Sequence, residues 1–205
     1  MVKHRQFVIA REGWLPLLLV LVISAIAGRY FGWLAAAPAL VAVLVTVMLF
    51  RNPHRNIPPV PQGVISPLDG TIEIAEQGSC PLMELEGYHV RIRRQRWTAP
   101  YYNRSPIEGR VRELPCGGNP DGGHAWRIET DESDNVVVLM NGDHILSHRS
   151  FRPCYGERVG QGARSGTRRL GSVADIWLPA NAKLLVRSGQ RVSSGQDVLA
   201  KLVHQ

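Results

Sequence analysis

Two kinds of hydrophobic pattern divide the chain. Between Trp14 and Phe50 nearly every residue is apolar, in one block of about 15 residues, Trp14 to Gly28, and one of about 20, Tyr30 to Phe50. About 20 apolar residues span a bilayer, so the second block is long enough and the first is short. Basic residues flank the pair on both sides: Lys3, Arg5 and Arg11, then Arg51 and Arg55. The pattern predicts a helical membrane hairpin with both ends in the cytoplasm.

Two alternatives to the hairpin stay open at this point. A charged start followed by an apolar stretch is also typical of a secretory signal peptide, although no small-residue cleavage site precedes the polar region. Two buried helices of a soluble domain would normally carry a polar stripe, which these blocks lack. The membrane hairpin therefore remains the first choice.

After residue 58 the pattern changes to short alternating or apolar runs between turn signals. These runs predict β-strands: Val64–Ile65, Thr71–Ala75, Val90–Ile92, Gly109–Leu114, Ala125–Thr130, Asn135–Met140, Asp175–Leu178, Lys183–Val186 and Asp197–Val203. Helical periodicity is scarce, and about 145 residues suffice for one core. We predict an anchor and linker over residues 1–57 and a mainly β, sandwich-like catalytic domain over residues 58–205.

The last segment of the chain resembles the hairpin halves of biotinyl and lipoyl carrier domains. The resemblance lies in the Gly-Gln pairs at Gly189 and Gly195 and the apolar residues after them. It implies barrel-sandwich-like hairpins at the C-terminus. Carrier domains present a lysine at a hairpin tip, whereas Lys183 and Lys201 lie outside any such motif, so carrier function is not expected.

Charge and metal-binding residues exclude several classes of function. The net charge of +7 admits nucleic acid or anionic lipid as a partner. No nucleic-acid motif accompanies the arginines, so attraction to acidic headgroups next to the membrane anchor is favoured over solvated arginines on a strand face. The three cysteines are too few and too far apart for a disulfide framework or a zinc site. His144 and His148 are spaced for one face of a helix but follow a strand and turn, so no metal site is predicted.

Four ordered motifs give the most specific signal in the chain. They are Phe50-Arg-Asn-Pro-His-Arg55, Ile65-Ser-Pro-Leu-Asp-Gly70, Asn103-Arg-Ser-Pro-Ile-Glu-Gly-Arg-Val111 and Leu170-Gly-Ser172. In this order and spacing they resemble the phosphatidylserine decarboxylase proenzymes, in particular the short, archaeal-type branch. The resemblance extends over nearly the whole chain.

The chemistry of amino-acid decarboxylation fits what this resemblance implies. Loss of carbon dioxide leaves an electron pair that no ordinary side chain accepts, so a cofactor such as pyridoxal phosphate, or a carbonyl built from the chain, is required. The sequence shows no clear lysine context or phosphate cradle for pyridoxal phosphate. The resemblance implies a pyruvoyl group made from Ser172 after the Ser172 hydroxyl attacks the Gly171 carbonyl. The products would be a large and a small chain in a heterodimer, with a higher oligomer left open. The substrate would be phosphatidylserine, the product phosphatidylethanolamine, and the location the cell membrane with the catalytic domain facing the cytoplasm.

The proton acceptor for this cleavage departs from the family pattern. Asp69 matches the family aspartate, although Asp-Gly is also a common turn pair. The family histidine is replaced by Tyr101, and an ordinary tyrosine has a pKa of about 10. Tyr101 as base, His89 reaching in from a nearby strand, and loss of the base all stay open. Loss of the base would leave an uncleaved, non-catalytic homologue that binds phospholipid.

Three further residues have weaker links to substrate. Asn103 and Arg104 are candidates for holding the lipid phosphate or shaping the cleft, and Gly142 matches a glycine-containing turn of the family. Each also has a simpler interpretation as a turn residue.

Overall fold

The computed structural model describes residues 9–10, 13–53, 55–94, 102–114, 124–141, 154–167 and 173–203. The chain divides into two compact units, Met1–His54 and Arg55–Gln205. The first unit is helical, and the second consists of β-strands.

The helical unit contains the two helices that the apolar blocks predict. Helix α1 covers Trp14–Phe31 and helix α2 covers Trp33–Leu49, and the two pack against each other. At the end of α2 the Phe50 carbonyl accepts a hydrogen bond from the Ala10 amide at 2.9 Å. Large apolar side chains are exposed on both helices, among them Leu15, Leu18, Ile23, Ile26, Leu40 and Leu44.

The helix bounds differ from the apolar blocks that predict them. None of the helices in the described part of the chain is both long and apolar enough to cross a membrane. The second apolar block begins at Tyr30. Gly32 adopts a positive φ of 76°, which a glycine tolerates because it has no Cβ, and the chain turns there. Helix α2 therefore begins only at Trp33 and has 17 residues.

The second unit is built of thirteen strands in the described residues. Their bounds are β1 Gly63–Ile65, β2 Gly70–Cys80, β3 Leu85–Arg94, β4 Tyr102–Arg104, β5 Gly109–Arg112, β6 His124–Glu129, β7 Asn135–Asn141, β8 Arg158–Val159, β9 Arg164–Thr167, β10 Val173–Pro179, β11 Ala182–Leu184, β12 Arg191–Val192 and β13 Val198–Leu202. They form an eight-stranded sheet in the order β12-β2-β3-β10-β7-β6-β5-β8, a three-stranded sheet β1-β13-β11 and a two-stranded ribbon β4-β9. All these pairings are antiparallel.

The main core lies between the eight-stranded and three-stranded sheets. One face of the large sheet contributes alternate side chains such as Ile92, Met140 and Ile176, and the small sheet contributes Val64 and Leu202. Since strand side chains alternate between faces, the intervening residues lie on the opposite face of the large sheet. There they form a smaller hydrophobic cluster that includes Trp177, Leu139 and Val137. The mainly β, sandwich-like fold is confirmed.

Each of the nine predicted runs overlaps a strand of this unit. The strands that the sequence did not predict are β4, β8, β9 and β12, which have between two and four residues and are rich in polar side chains. Two of them, β4 and β9, pair with each other and form part of the candidate site.

Candidate active site

Three adjacent strands of the large sheet bring the sequence motifs to one edge. This edge is formed by strand ends, namely the start of β2, the end of β3 and the start of β10. Strand β2 begins at Gly70, directly after Asp69, and Gly70 pairs with Arg94 at the end of β3. Strand β10 begins at Val173, which pairs with Arg93 of β3 and with Asn141 of β7. Strands β2 and β10 are thus separated only by β3, a distance of about 10 Å. Asp69 and the start of β10 lie at the same edge of the sheet.

Four predicted site residues lie outside the described residues: Gly171, Ser172, Tyr101 and Gly142. The described residues that flank them are Tyr102 of β4, Asn141 of β7 and Val173 of β10. Asn141 and Val173 pair with each other at the start of β10.

The carboxylate of Asp69 is held in place by two charge-assisted hydrogen bonds. Its Oδ1 accepts from the Ser194 backbone amide at 2.6 Å, and its Oδ2 accepts from the Arg55 guanidinium at 2.7 Å. The turn that carries it is fixed as well, because Ser194 Oγ donates to the Pro67 carbonyl at 2.9 Å. The side chain is 12% exposed, so it is a nearly buried but charge-paired acid. Such a group can accept or direct a proton at this edge.

Asn103 and Arg104 are buried on β4, next to this turn. The Arg104 amide donates to the Pro67 carbonyl at 2.9 Å, which ties β4 to the loop of Asp69. Asn103 Oδ1 accepts a hydrogen bond from the Arg94 guanidinium at the end of β3. The structure therefore brings Asp69, Asn103 and Arg104 together.

The side chain of Arg104 is in an unfavourable environment for a cation. Burial lowers its pKa most, the positive charges of Arg164 and Arg55 lower it further, and Asp69 only partly opposes them. Arg104 Nη1 donates to the neutral Gly162 carbonyl at 2.8 Å. Within the described residues, Arg104 thus has two nearby arginines and only the already paired Asp69 to oppose them.

Three residues of the site have no role in the sequence analysis beyond charge. Arg55 enters it only as a flanking basic residue and as the end of a motif, and Arg164 and Ser194 are assigned nothing. Arg55 lies in one of the four motifs, so its position there was the available signal. Arg164 and Ser194 reach the site through pairings distant in sequence, which no local pattern reveals.

His89 lies on β3 opposite Trp177 of β10, four residues beyond Val173, which is about 13 Å along the strand. Its ring stacks on Trp177 with centroids 5.0 Å apart, and its Nε2 lies 2.7 Å from Oδ1 of Asp175, two residues after Val173. The imidazole of His89 thus contacts Asp175 and Trp177, and its role as the base stays a prediction.

Asp175 is the buried centre of this second group. Arg91 Nε donates to the same Oδ1 at 2.6 Å, and only 1% of the Asp175 side chain is exposed. Burial alone raises the pKa of Asp175, but the hydrogen bonds from His89 and Arg91 together outweigh burial, so the pKa lies below its ordinary value. The group ties β3 to β10 two residues after Val173.

Metal binding finds no support within the described residues. No group of three or more histidine, cysteine, aspartate or glutamate side chains is placed to hold an ion there. His144 and His148 lie outside the described residues.

The fold and the site define a mainly antiparallel β protein with a paired, nearly buried aspartate beside the strand that follows a Gly-Ser pair. The chain is 32% identical to the phosphatidylserine decarboxylase proenzyme of Symbiobacterium thermophilum, over 97% of both chains. It is 30% identical to that of Ralstonia pickettii, over 95% of this chain and 96% of the relative, and 28% identical to that of Nitrosomonas eutropha, over 95% of each. The chain belongs to the phosphatidylserine decarboxylase proenzyme family.

Two other comparisons add little. No protein-family model matches the chain. Among solved structures, a glucose permease IIA from Mycoplasma capricolum aligns with a TM-score of 0.49 and 20% identity, over 69% of this chain and 95% of that one. This likeness is too distant to bear on fold or function.

Proposed function

We propose that this protein decarboxylates phosphatidylserine to phosphatidylethanolamine after cutting itself between Gly171 and Ser172. The observation that carries the proposal is the position of Asp69, a buried carboxylate at the sheet edge where β10 begins. Family membership supports the same reaction, because the relatives are proenzymes named for it. The pyruvoyl group, formed from Ser172, would supply the carbonyl that accepts electrons as carbon dioxide leaves.

Self-cleavage requires a proton acceptor for the Ser172 hydroxyl and breaks the Gly171–Ser172 peptide bond. Ser172 Oγ bonds to the Gly171 carbonyl carbon as the Gly171–Ser172 amide bond breaks, which leaves an ester and a free amine. Elimination at Ser172 then breaks the ester and leaves Gly171 as a carboxylate, and water replaces the amine nitrogen, which departs as ammonia. Asp69 is the described residue best placed to promote loss of the serine proton, with Tyr101 as a candidate relay beside β4.

The fold suits a chain that is cut at this place. Strand β10 would start the small chain, and it lies between β3 and β7 in the large sheet. The small chain would also supply β11 and β13, which pair with each other, and β12; β13 also pairs with β1, and β12 pairs with β2. Separating the two chains would break hydrogen bonds on both sides of a central strand. We therefore expect the fragments to stay together as a heterodimer.

A membrane location fits the exposed apolar surface of the first unit. Helices α1 and α2 expose leucine, isoleucine and valine side chains in large number, which a water-soluble surface rarely does. We propose that these helices attach the protein to the cell membrane, with the β unit at the cytoplasmic side. The lipid substrate and anionic headgroups would be met there.

The test is the intact mass of the purified full-length protein, with Ser172→Ala and Asp69→Asn beside it. We expect two fragments from the natural chain, the smaller one carrying a pyruvoyl mass that shifts on borohydride treatment. Ser172→Ala should remain one chain, and Asp69→Asn should be cut at least about a hundredfold more slowly. Matched controls are Ser188→Ala, an exposed serine, and Asp197→Asn, whose carboxylate also accepts a backbone amide.

Cleavage that persists in Ser172→Ala would overturn the proposed chemistry. An uncut natural chain in the presence of membrane lipids would favour the alternative, a non-catalytic homologue that binds phospholipid. An Asp69→Asn rate equal to that of Asp197→Asn would remove Asp69 from the cleavage step.

A further inference from the structure

An irregular pairing places two arginines of the ribbon β4-β9 directly opposite each other. Asn103 pairs with Gly166, but Arg104 pairs with Arg164, so Ser165 is the extra residue of a β-bulge. In a bulge two residues oppose one on the neighbouring strand, which redirects side chains. Arg164 and Ser165 therefore both oppose Arg104. Like charges directly opposite in a sheet are destabilising, so this pairing has a cost.

The two arginines have no carboxylate partner within the described part of the chain. The ion pairs in that part of the chain all involve other residues. Asp69, whose charge acts on Arg104, already accepts from Arg55 and from the Ser194 amide. Repulsion between Arg104 and Arg164 and burial of Arg104 are both unfavourable, and a bound anion would relieve both.

Ser165 supplies an unsatisfied hydroxyl at the same bulge. Its Oγ is buried and has no hydrogen-bond partner among the described residues, while the residue as a whole is 2% exposed. A buried hydroxyl without a partner costs free energy unless a ligand or a water molecule forms a hydrogen bond with it. The guanidinium of Arg164 is meanwhile oriented by Tyr102, whose ring centroid lies 4.6 Å from Cζ.

Gly195 shows that the position of Arg104 is built into the fold. Its φ is +75°, and a Cβ there would lie 2.5 Å from Arg104 Cδ. The glycine is therefore required both by its backbone conformation and by the arginine packed against it. Arg104 is held under the bulge by the loop that also supplies the Ser194 amide to Asp69.

We propose that Arg164, Ser165 and Arg104 form a binding site for a phosphodiester monoanion, the phosphate of the phosphatidylserine headgroup. Arg164, which is exposed, makes the outer contact through its planar fork, as arginine does with phosphate oxygens. Arg104 and the Ser165 hydroxyl receive the anion from beneath. The assignment rests on the proposed function, since Arg104 adjoins Asp69 and a phosphate here would hold the headgroup at the edge where β10 begins.

The test measures headgroup binding separately from cleavage. Full-length Ser172→Ala, which stays one chain under the proposed function, is titrated calorimetrically with glycerophosphoserine, with inorganic phosphate and with free serine. We expect glycerophosphoserine to bind most tightly, and Arg164→Gln in the same background to weaken it about tenfold or more, because a hydrogen bond to a charged group is lost. Arg112→Gln is the matched control, an exposed strand arginine paired with Glu129.

Two further variants keep the proposal open to refutation. Arg164→Lys keeps the charge but not the fork, so its affinity should fall between the natural residue and Arg164→Gln. Ser165→Ala removes the hydroxyl alone and should also weaken glycerophosphoserine binding.

Each outcome decides a separate point. Equal affinities in Arg164→Gln and Arg112→Gln would overturn the site. Inorganic phosphate that binds as tightly as glycerophosphoserine, with both lost in Arg164→Gln, would keep the anion site and overturn its assignment to the lipid. Binding that depends on Arg164 in a natural chain that never cuts itself would leave the site standing and refute the proposed function. Cleavage of the natural chain without Arg164-dependent binding would leave the proposed function standing and refute the binding site.

Discussion

Two groups of charged residues in the β unit, one on the strand pair β3 and β10 and one on the pair β4 and β9, have opposite arrangements of charge. The compensated cluster, His89, Arg91 and Asp175, directs two hydrogen-bond donors to Oδ1 of one buried carboxylate, while Oδ2 has no partner among the described residues. The uncompensated cluster, Arg104 and Arg164, sets two guanidinium groups opposite each other with no carboxylate between them in the described residues. The first cluster pairs opposite charges, whereas the second opposes like charges.

The difference separates a structural role from a binding role. A buried carboxylate that accepts two charged hydrogen bonds stabilises the strands that carry it, as Asp175 does for β3 and β10. Opposed arginines cannot stabilise β4 and β9 by their charge. An external anion that binds both arginines would offset their repulsion. Substitutions should therefore affect stability in the compensated cluster and ligand binding in the uncompensated cluster.

The largest expected effect on stability is at Asp175. Asp175→Asn should lower the free energy of unfolding by about 2–3 kcal/mol, because two hydrogen bonds lose the charge of their acceptor. The measurement is urea unfolding in the uncut Ser172→Ala background, followed by tryptophan fluorescence, to which Trp177 contributes from its stack on His89. Asp131→Asn, whose carboxylate is exposed, should cost less than about 0.5 kcal/mol. Equal effects in the two variants would contradict a special role for Asp175.

The compensated cluster should also give stability a dependence on acid pH. The folded-state pKa of Asp175 is lowered, and the unfolded value is about 3.9. Its contribution is therefore fully present above the unfolded pKa and is lost as the pH falls toward the folded pKa. Below about pH 4 the natural residue should lose stability more steeply than Asp175→Asn. Parallel curves from pH 6 to pH 3 would show that Asp175 has an ordinary pKa when folded.

The strands around the compensated cluster could be predicted from sequence, but the cluster itself could not. The runs Val90–Ile92 and Asp175–Leu178 alternate clearly, and β3 and β10 are where they indicate. The pairing of His89 with Trp177 depends on register between segments more than 80 residues apart. Local periodicity does not show which residues of two strands pair. The sequence therefore predicts that His89 lies on a strand, but not how far it lies from the cleavage site.

The ribbon at the uncompensated cluster was harder to predict for a different reason. Strands β4 and β9 are short and polar, and neither alternates between apolar and polar residues. Asn103 and Arg104 were found only because their motif resembles a family pattern, and Arg164 had no such motif. The bulge at Ser165 arises from the pairing of β4 with β9, so neither segment alone predicts it. The motif therefore identifies Arg104, and tertiary structure supplies Arg164 and Ser165.

The smallest expected effect on stability is at Arg164. Arg164→Gln should change the free energy of unfolding by no more than about 0.5 kcal/mol, with a gain expected, because it removes repulsion from Arg104. Glycerophosphoserine at ten times its dissociation constant should stabilise the Ser172→Ala protein by about 1.4 kcal/mol and the double variant with Arg164→Gln much less. A loss above about 1 kcal/mol without ligand would mean that Arg164 has a structural partner. The contrast with Asp175 would then disappear, since both clusters would stabilise the fold.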